Sequence, residues 1–483
     1  MYRDLIKKDI SGKMHKHLLQ FHLRLVFSFL ICIVGCTFPG SKQEASRIRF
    51  SIQNTLSIER KNVPIVLTLE QLQKVSPDFS LNAYSVVTGK APRETAILTQ
   101  ADDLDYDGER DQLIFLIDLD AEETKEFSIL YDPNVKATLT IDVNKQTRAG
   151  IFPELNVTAA LESDLIAYLL KPDGAVIAYG KKRQELFSVD TLFQSELDFG
   201  NGQLTPEFRN HFQSNMITLT QTPQALIVEV IEPENRWVIR DLENQEDYYI
   251  RKENDQLNLS KSIGLSLNSL LDPEDTMTVA LSPQESLIGC GGFALWNKKQ
   301  QKLIPIPKEG DYVRILANGA MRSVIQRILP SWDINGETFQ LTLTTYVYGR
   351  NPWMEQNIHI NKTSPEDYAI VVGIPKLDGT NGYDDKQNMF WSWGTDPKGT
   401  HPLGVALLYP KTQEGVMIDT DAALMSMIFT PNDKGHITYR ALTLWEGGIN
   451  GVQTESAFMQ QLQLMTTTME NRPKIKFLPL AEK

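Results

Sequence analysis

The chain has 483 residues, with 48 Lys and Arg against 61 Asp and Glu for a net charge of −13, and three cysteines. That acidity argues against nucleic acid as a partner, because phosphate binding needs a basic stripe. The length exceeds what one core usually serves, so two or three domains are expected.

At the start, Lys7, Lys8, Lys13, Lys16 and Arg24 precede an apolar run from Leu25 to Val34. The run is too short for a membrane-spanning helix, which needs about 20 residues, and reads as a secretory signal. Its ending, Ile33-Val34-Gly35-Cys36, resembles a bacterial lipobox, in which the cysteine takes lipid and becomes the first mature residue. An ordinary signal peptide or a membrane anchor is the alternative. Met14 opens a more typical signal, MHKHLLQFHLR, so translation is expected to begin there. Residues 1–35 are thus expected to be a lipoprotein signal and 36–46 a tether, placing the protein outside the cytoplasm on a bacterial membrane. Removing 1–35, with six basic and two acidic side chains, takes the charge from −13 to −17. Cys32 leaves with the signal and Cys36 carries lipid, so Cys290 alone remains and no internal disulfide can form.

From Arg47 to Asp132, the runs IRFSIQNTL, VPIVLTLEQL, NAYSVVTG, DQLIFLIDL and KEFSILYDP alternate apolar and polar residues between turns. Such spacing predicts a small antiparallel β-sandwich over 47–140. Within it, DLDYDGERD places Asp103, Asp105, Asp107 and Asp111 at the spacing of an oxygen-rich calcium loop, without the EF-hand's closing glutamate, since Ile114 holds that position. The alternatives are a structural calcium that braces the small domain and a plain acidic hairpin.

A second β-region occupies 141–483, with strands such as AVIAYG, FQLTLTTYVYG, WMEQNIHI, YAIVVGIP, LGVALLYP and HITYRALTLW. GCGGF, from Gly289 to Phe293, lacks the lysine and spacing of nucleotide loops and reads as a tight bend between strands. GxSxG, HExxH and CxxC are absent, and His211, His359, His401 and His436 show no metal-ligand spacing, so no cofactor is expected for chemistry. Late in the chain, SWD, YVYGRNPW, MFWSWGTD and TLWEGG set aromatic rings beside polar groups. Flat rings beside carboxylates and amides suit a sugar cleft, although most aromatics in β-sandwiches are core. Trp332, Trp353, Trp391, Trp393 and Trp445 are therefore split between these roles. At the end, Thr454 is placed to cap a short helix with Phe458, Leu462, Met465 and Met469 on one stripe, stopped by Pro473.

Three segments resemble a family of exported Bacteroidota proteins, domain of unknown function 4861, found among polysaccharide-degrading systems. They are DLDYDGERDQLIFLIDLDAEETKEFSI, LESDLIAYLLKPDGAVIAYGKK, and ILANGAMRSVIQRILPSWDINGETFQ followed by YRALTLWEGG. The resemblance runs from about Arg47 to Pro473. It implies an all-β protein, with a mutarotase-like super-β-sandwich behind the small sandwich. It also implies chemistry on uronic-acid oligosaccharides, in which eliminating water or alcohol gives a 4,5-unsaturated sugar, a lyase-type reaction. On that basis Lys181 and Arg322 are expected to hold a substrate carboxylate. Tyr168, Tyr179 and His211 are the acid and base candidates, and Trp332, Trp391, Trp393 and Trp445 the sugar contacts. The chain departs from the family pattern at Leu161, Leu169 and Ala178, which keeps a second class open: a lipid-anchored protein that binds an acidic oligosaccharide without turning it over.

Overall fold

The computed structural model describes residues 46–90, 93–105, 107–133, 145–152, 157–186, 288–308, 310–334, 336–360, 368–420, 422–449 and 451–479, and between 189 and 281 little beyond the strand backbones named below. Cys36, His211 and the domain boundary expected near 140 lie outside the described residues. The protein is all-β, as its alternating patterns predict.

Seven strands come first: β1 (Ser46–Gln53), β2 (Arg60–Thr68), β3 (Tyr84–Thr88), β4 (Thr95–Ala96), β5 (Gln100–Asp102), β6 (Gln112–Leu119) and β7 (Thr124–Tyr131). Between β2 and β3, the short helix α1 (Leu69–Gln73) starts on a capping box, in which Thr68 and Gln71 bond each other's backbone N–H. Alternation in β1 turns Ile48, Phe50 and Ile52 inward against Phe115 of β6 and Phe127 of β7, and the Phe50 and Phe127 rings stack at 5.5 Å. The sheets are β31-β1-β7-β3-β4 and β2-β6-β5, where β31 (Lys474–Leu478) is the last strand of the chain returning to the first.

Then follow β8 (Thr147–Phe152), β9 (Val157–Ser163), β10 (Ile166–Leu170) and β11 (Val176–Lys181), joined by β17 (Thr278–Ala280) in the sheet β17-β11-β10-β9-β8. Another sheet, in the order β12-β16-β15-β14-β13, comprises β12 (Val189–Phe193), β13 (Ala225–Ile231), β14 (Arg236–Asp241), β15 (Glu246–Glu253) and β16 (Gln256–Ser266).

The remaining strands build the large sandwich. One layer, β19-β18-β24-β29-β28, contains β18 (Phe293–Asn297), β19 (Lys302–Ile304), β24 (Tyr368–Pro375), β28 (Gly415–Ile418) and β29 (Leu424–Phe429). The other is eight-stranded, β20-β21-β22-β23-β30-β27-β26-β25. Its members are β20 (Tyr312–Asn318), β21 (Arg322–Ile334), β22 (Glu337–Tyr348), β23 (Trp353–Ile360), β25 (Asn381–Asp384), β26 (Met389–Thr395), β27 (Pro402–Leu408) and β30 (His436–Trp445). The main core joins these layers and the β8–β11 sheet, with Tyr168, Phe293, Ile325, Leu343, Met354, Ile358, Phe429 and Tyr439 fully or almost fully buried.

GCGGF forms the expected bend into β18. Gly289 and Gly291 have positive φ, and a Cβ on Gly291 would stand 2.2 Å from that of Ala441. The outer face of the eight-stranded sheet is divided. Over β26, β27 and the far end of β30 it is covered by helix α2 (Glu455–Glu470), which buries Phe458, Leu462, Thr466 and Met469. Thr454 caps α2 by accepting from Ala457 N at 3.2 Å. Each fully buried Phe or Leu contributes about 1.5–3 kcal/mol, which holds the helix down. Among the described residues no helix is long and apolar enough to cross a membrane.

Candidate functional site

The uncovered part of that outer face is polar. On β22, Leu341, Leu343 and Val347 point into the main core, so the pleat turns Thr342, Thr344 and Tyr346 outward. The same alternation turns Glu355, Asn357 and His359 outward on β23, and His436, Thr438 and Arg440 on β30; of these His436 is exposed and the others are half-buried. On β21 it turns out the half-buried Gln326 and Ile328, and on β20 the exposed Tyr312 and the half-buried Arg314. Antiparallel register lines these side chains into three tiers across the strands. Tyr346, Glu355 and Arg440 are partners in the first, and Arg314, Gln326, Thr344, Asn357 and Thr438 in the second. Tyr312, Ile328, Thr342, His359 and His436 form the third.

Each tier is tied internally. In the first, Arg440 Nε donates to Glu355 Oε2 at 2.9 Å, and its guanidinium carbon lies 4.0 Å from the centre of the Trp353 ring. That leaves a cation held over an aromatic face, an arrangement favoured when both are partly desolvated. Arg60, donating to Asn471 O and Thr468 O at the end of α2, adds a second guanidinium close enough for its charge to be felt; burial and the Arg440 charge both lower the Arg60 pKa. In the second tier Arg314 donates twice to Gln326 Oε1, at 2.8 and 3.0 Å, and Thr438 donates to Asn357 Oδ1 at 2.8 Å. In the third, the His359 and His436 rings stack at 4.5 Å.

Tyr346 is the one phenol in the first tier. Burial raises its pKa, against the lowering influences of the Arg322 charge and the Asn357 amide, so it remains a neutral proton donor at neutral pH. Its ring packs on Leu316, Ala317 and Val324, as does Leu104 from the acidic loop, so that loop borders the first tier.

Among the described residues, those expected to act from sequence lie elsewhere. Arg322 is 1% exposed and is not a free carboxylate holder; its Nε donates to Asp102 Oδ2 at 2.9 Å, its Nη2 bonds the same oxygen, and Nη1 donates to Gln112 Oε1 at 3.0 Å. It touches the site indirectly, 5.7 Å from the centre of the Tyr346 ring. Lys181 is fully buried and saturated, bonded to the Glu162 carboxylate and donating to Ser163 O at 2.6 Å and Glu185 O at 3.0 Å. Burial lowers its pKa, against the opposing Glu162 charge. Tyr168 is a core ring whose hydroxyl donates to Pro352 O at 2.8 Å, and burial raises its pKa well above the ordinary phenol value; Tyr179 is also buried.

The four tryptophans expected to contact sugar pack against other side chains, Trp332 and Trp445 buried and Trp391 and Trp393 half-buried. Trp332 packs on Phe339, and Trp445 lies so close over Gly180 that a Cβ there would meet the indole nitrogen at 2.3 Å. Trp391 and Trp393 pack among the side chains beneath α2, where the Trp393 ring lies 5.5 Å from that of Phe458. Sequence reasoning identified the site's strands but not their polar faces. The available signal was period-two polarity in TLTTYVY, EQNIHI and HITYR.

In the acidic loop, Asp103, Asp105 and Asp111 each place a carboxylate oxygen within 4.8 Å of the others. Asp107 instead accepts from Glu109 N at 2.7 Å. Burial raises the Asp111 pKa, with the Asp105 and Asp107 charges adding to the effect.

No curated protein sequence matches the chain. Among solved structures it is similar to a protein of glycosyl hydrolase family 38 from Enterococcus faecalis, at 11% identity and a TM-score of 0.41, covering 90% of this chain and 48% of that one. It is also similar to an alpha-mannosidase from Enterococcus faecalis V583, at 12% identity and a TM-score of 0.38, covering 90% and 46%. The chain thus spans about half the length of these structures. The family model for a domain of unknown function matches residues 52–168 and 285–475, on both sides of the strands β11–β17, and the chain belongs to that family, DUF4861.

Proposed function

We propose that this chain is a carbohydrate-active protein that holds an acidic oligosaccharide on the tiered face and carries out β-elimination at its first tier. The observation that carries the reading is that tier: a carboxylate, a neutral phenol and a ring-supported guanidinium side by side on adjacent strands. Directly opposed side chains on neighbouring strands have Cβ atoms about 4.5–5.5 Å apart, a span that one pyranose ring can bridge. In the proposed step Glu355 accepts the proton from C5 of a uronic acid, and the electron pair forms the C4–C5 double bond. The C4–O bond breaks, and Tyr346 gives its proton to the departing oxygen, releasing water or an alcohol. Arg440 faces the sugar carboxylate, where charge accumulates as C5 loses its proton. Proton exchange with solvent then restores Glu355 and Tyr346.

Incubation with saturated uronic oligosaccharides, following ultraviolet absorbance of the unsaturated product, tests this reading; binding without any new absorbance on every uronic substrate would reject elimination. Capture without turnover is the second reading, favoured by the Glu355–Arg440 ion pair, which occupies the base, and by the amide and hydroxyl groups that dominate the middle tier.

Two further expectations belong to this proposal. Lipid on Cys36 would anchor the protein to a bacterial membrane, so Cys36→Ala is expected to abolish both fatty-acid labelling and membrane fractionation. Unchanged labelling would remove the lipoprotein assignment. The oxygen set of Asp103, Asp105 and Asp111 fits a hard cation such as calcium, serving structure and not chemistry. Calcium at a hundred times its Kd would then stabilise the fold by about 2.7 kcal/mol. Equal melting temperatures in chelator and calcium would mean that the loop is a plain acidic hairpin.

A further inference from the structure

We infer that the third tier is a second sugar subsite, so that the ligand is an oligosaccharide lying parallel to the strands with a non-reacting residue seated between Tyr312 and the His359–His436 pair. The inference rests on reading the face as the glycan site, and extends it to ligand length and orientation.

Geometry sets the spacing. Successive tiers are two residues apart along each strand, about 6.8 Å, which is somewhat more than one pyranose residue advances along a 1,4-linked glycan chain. A sugar reacting at Tyr346 therefore has its neighbour over the middle tier, and the second or third residue beyond it reaches the third tier. The third tier has the chemistry to hold it. Tyr312, on the edge strand, is 53% exposed, an unusually open position for an aromatic ring, and Ile328 beside it extends the apolar surface. Carbohydrate C–H faces pack on such surfaces. At the other side His359 and His436 are cross-strand partners with stacked rings, and Thr342 lies beside His359 on the floor. Burial lowers the His436 pKa, as do the nearby charges of His359 and Lys434, so at neutral pH that imidazole offers one donor and one acceptor to sugar hydroxyls. The subsite thus recognises hydroxyls and a ring face, while charge recognition remains with Arg440 in the first tier.

The test is calorimetric titration of wild type, Tyr312→Ala, His359→Ala and Arg440→Gln with saturated oligoglucuronides and oligogalacturonides of one to four residues. Wild type is expected to gain about tenfold in affinity between one and four residues. Tyr312→Ala and His359→Ala should lose most of that gain yet bind the monosaccharide as wild type does. Tyr312 is exposed at a sheet edge, so its replacement leaves the core intact, and equal melting temperatures would verify this. A length gain that persists in both variants, or no length gain in wild type, overturns the subsite while leaving the first-tier reading standing. No binding of any oligomer, or binding indifferent to Arg440→Gln, overturns the glycan-site reading itself and the subsite with it.

Discussion

Tyr346→Phe is expected to lower turnover of a saturated uronic oligosaccharide by about a hundred- to ten-thousandfold, the usual contribution of a positioned proton donor, while affinity changes little. The substitution removes one hydroxyl and keeps the ring that packs on Val324 beside Arg322, so the binding surface retains its shape. Glu355→Gln should produce a comparable loss for a different reason and carry a second signature. Glu355 is the carboxylate partner of Arg440. Neutralising it frees the guanidinium, so affinity for an acidic oligosaccharide should rise even as turnover falls. A catalytic base and a mere ion-pair partner differ here, because the latter would give tighter binding with turnover intact. The pH profile adds a sign. Burial raises the Tyr346 pKa, so the alkaline decline in turnover should lie above the ordinary phenol value, and a profile falling in the neutral range would assign the acid to another group. Full turnover by Tyr346→Phe would remove the phenol from the mechanism.

Features set by short-range pattern were legible in the sequence. Alternation gave the strands, Thr454 and its apolar stripe gave α2, and GCGGF gave the bend at Gly289 and Gly291. Features set by distant partners were not. Arg322 opens its strand in the motif NGAMRSVIQ, where the sequence shows a cation with no carboxylate beside it, but the group that takes its charge, Asp102, is 220 residues away in sequence. Lys181 likewise finds Glu162 across β10. Trp391 and Trp393 alternate with polar residues as cleft aromatics would, yet the chain returns as α2 to pack on them. The polar tiers leave only a faint trace in the sequence, because each strand contributes two or three ordinary residues that come together only when four strand pairings bring them into register.

Removing Asp102 should produce the largest loss of stability. The Arg322–Asp102 pair is buried on both sides, and it joins β5 of the small sandwich to β21 of the large one. Gln100 strengthens the same joint, donating to Arg322 O at 2.8 Å and accepting from the backbone N–H of Met321 at 2.8 Å and of Arg322 at 3.0 Å. Breaking a buried pair by deleting one partner leaves an uncompensated charge and costs about 3–5 kcal/mol. Asp102→Ala is therefore expected to lower unfolding free energy by about that much, a large share of the roughly 5–15 kcal/mol that folded proteins possess. Asp102→Ala combined with Arg322→Met should recover part of the loss, because removing both charges leaves no uncompensated charge in the interior. Equilibrium urea unfolding of the two single variants and the double variant measures the coupling directly. Ultraviolet titration of tyrosinate gives an independent sign. Without Asp102 the Arg322 charge, 5.7 Å from the Tyr346 ring centre, is no longer neutralised, so the Tyr346 pKa should fall, whereas Arg322→Met should raise it. An Asp102→Ala variant as stable as wild type, with Tyr346 titrating unchanged, would mean that Arg322 finds water or another anion at the joint and does not depend on Asp102.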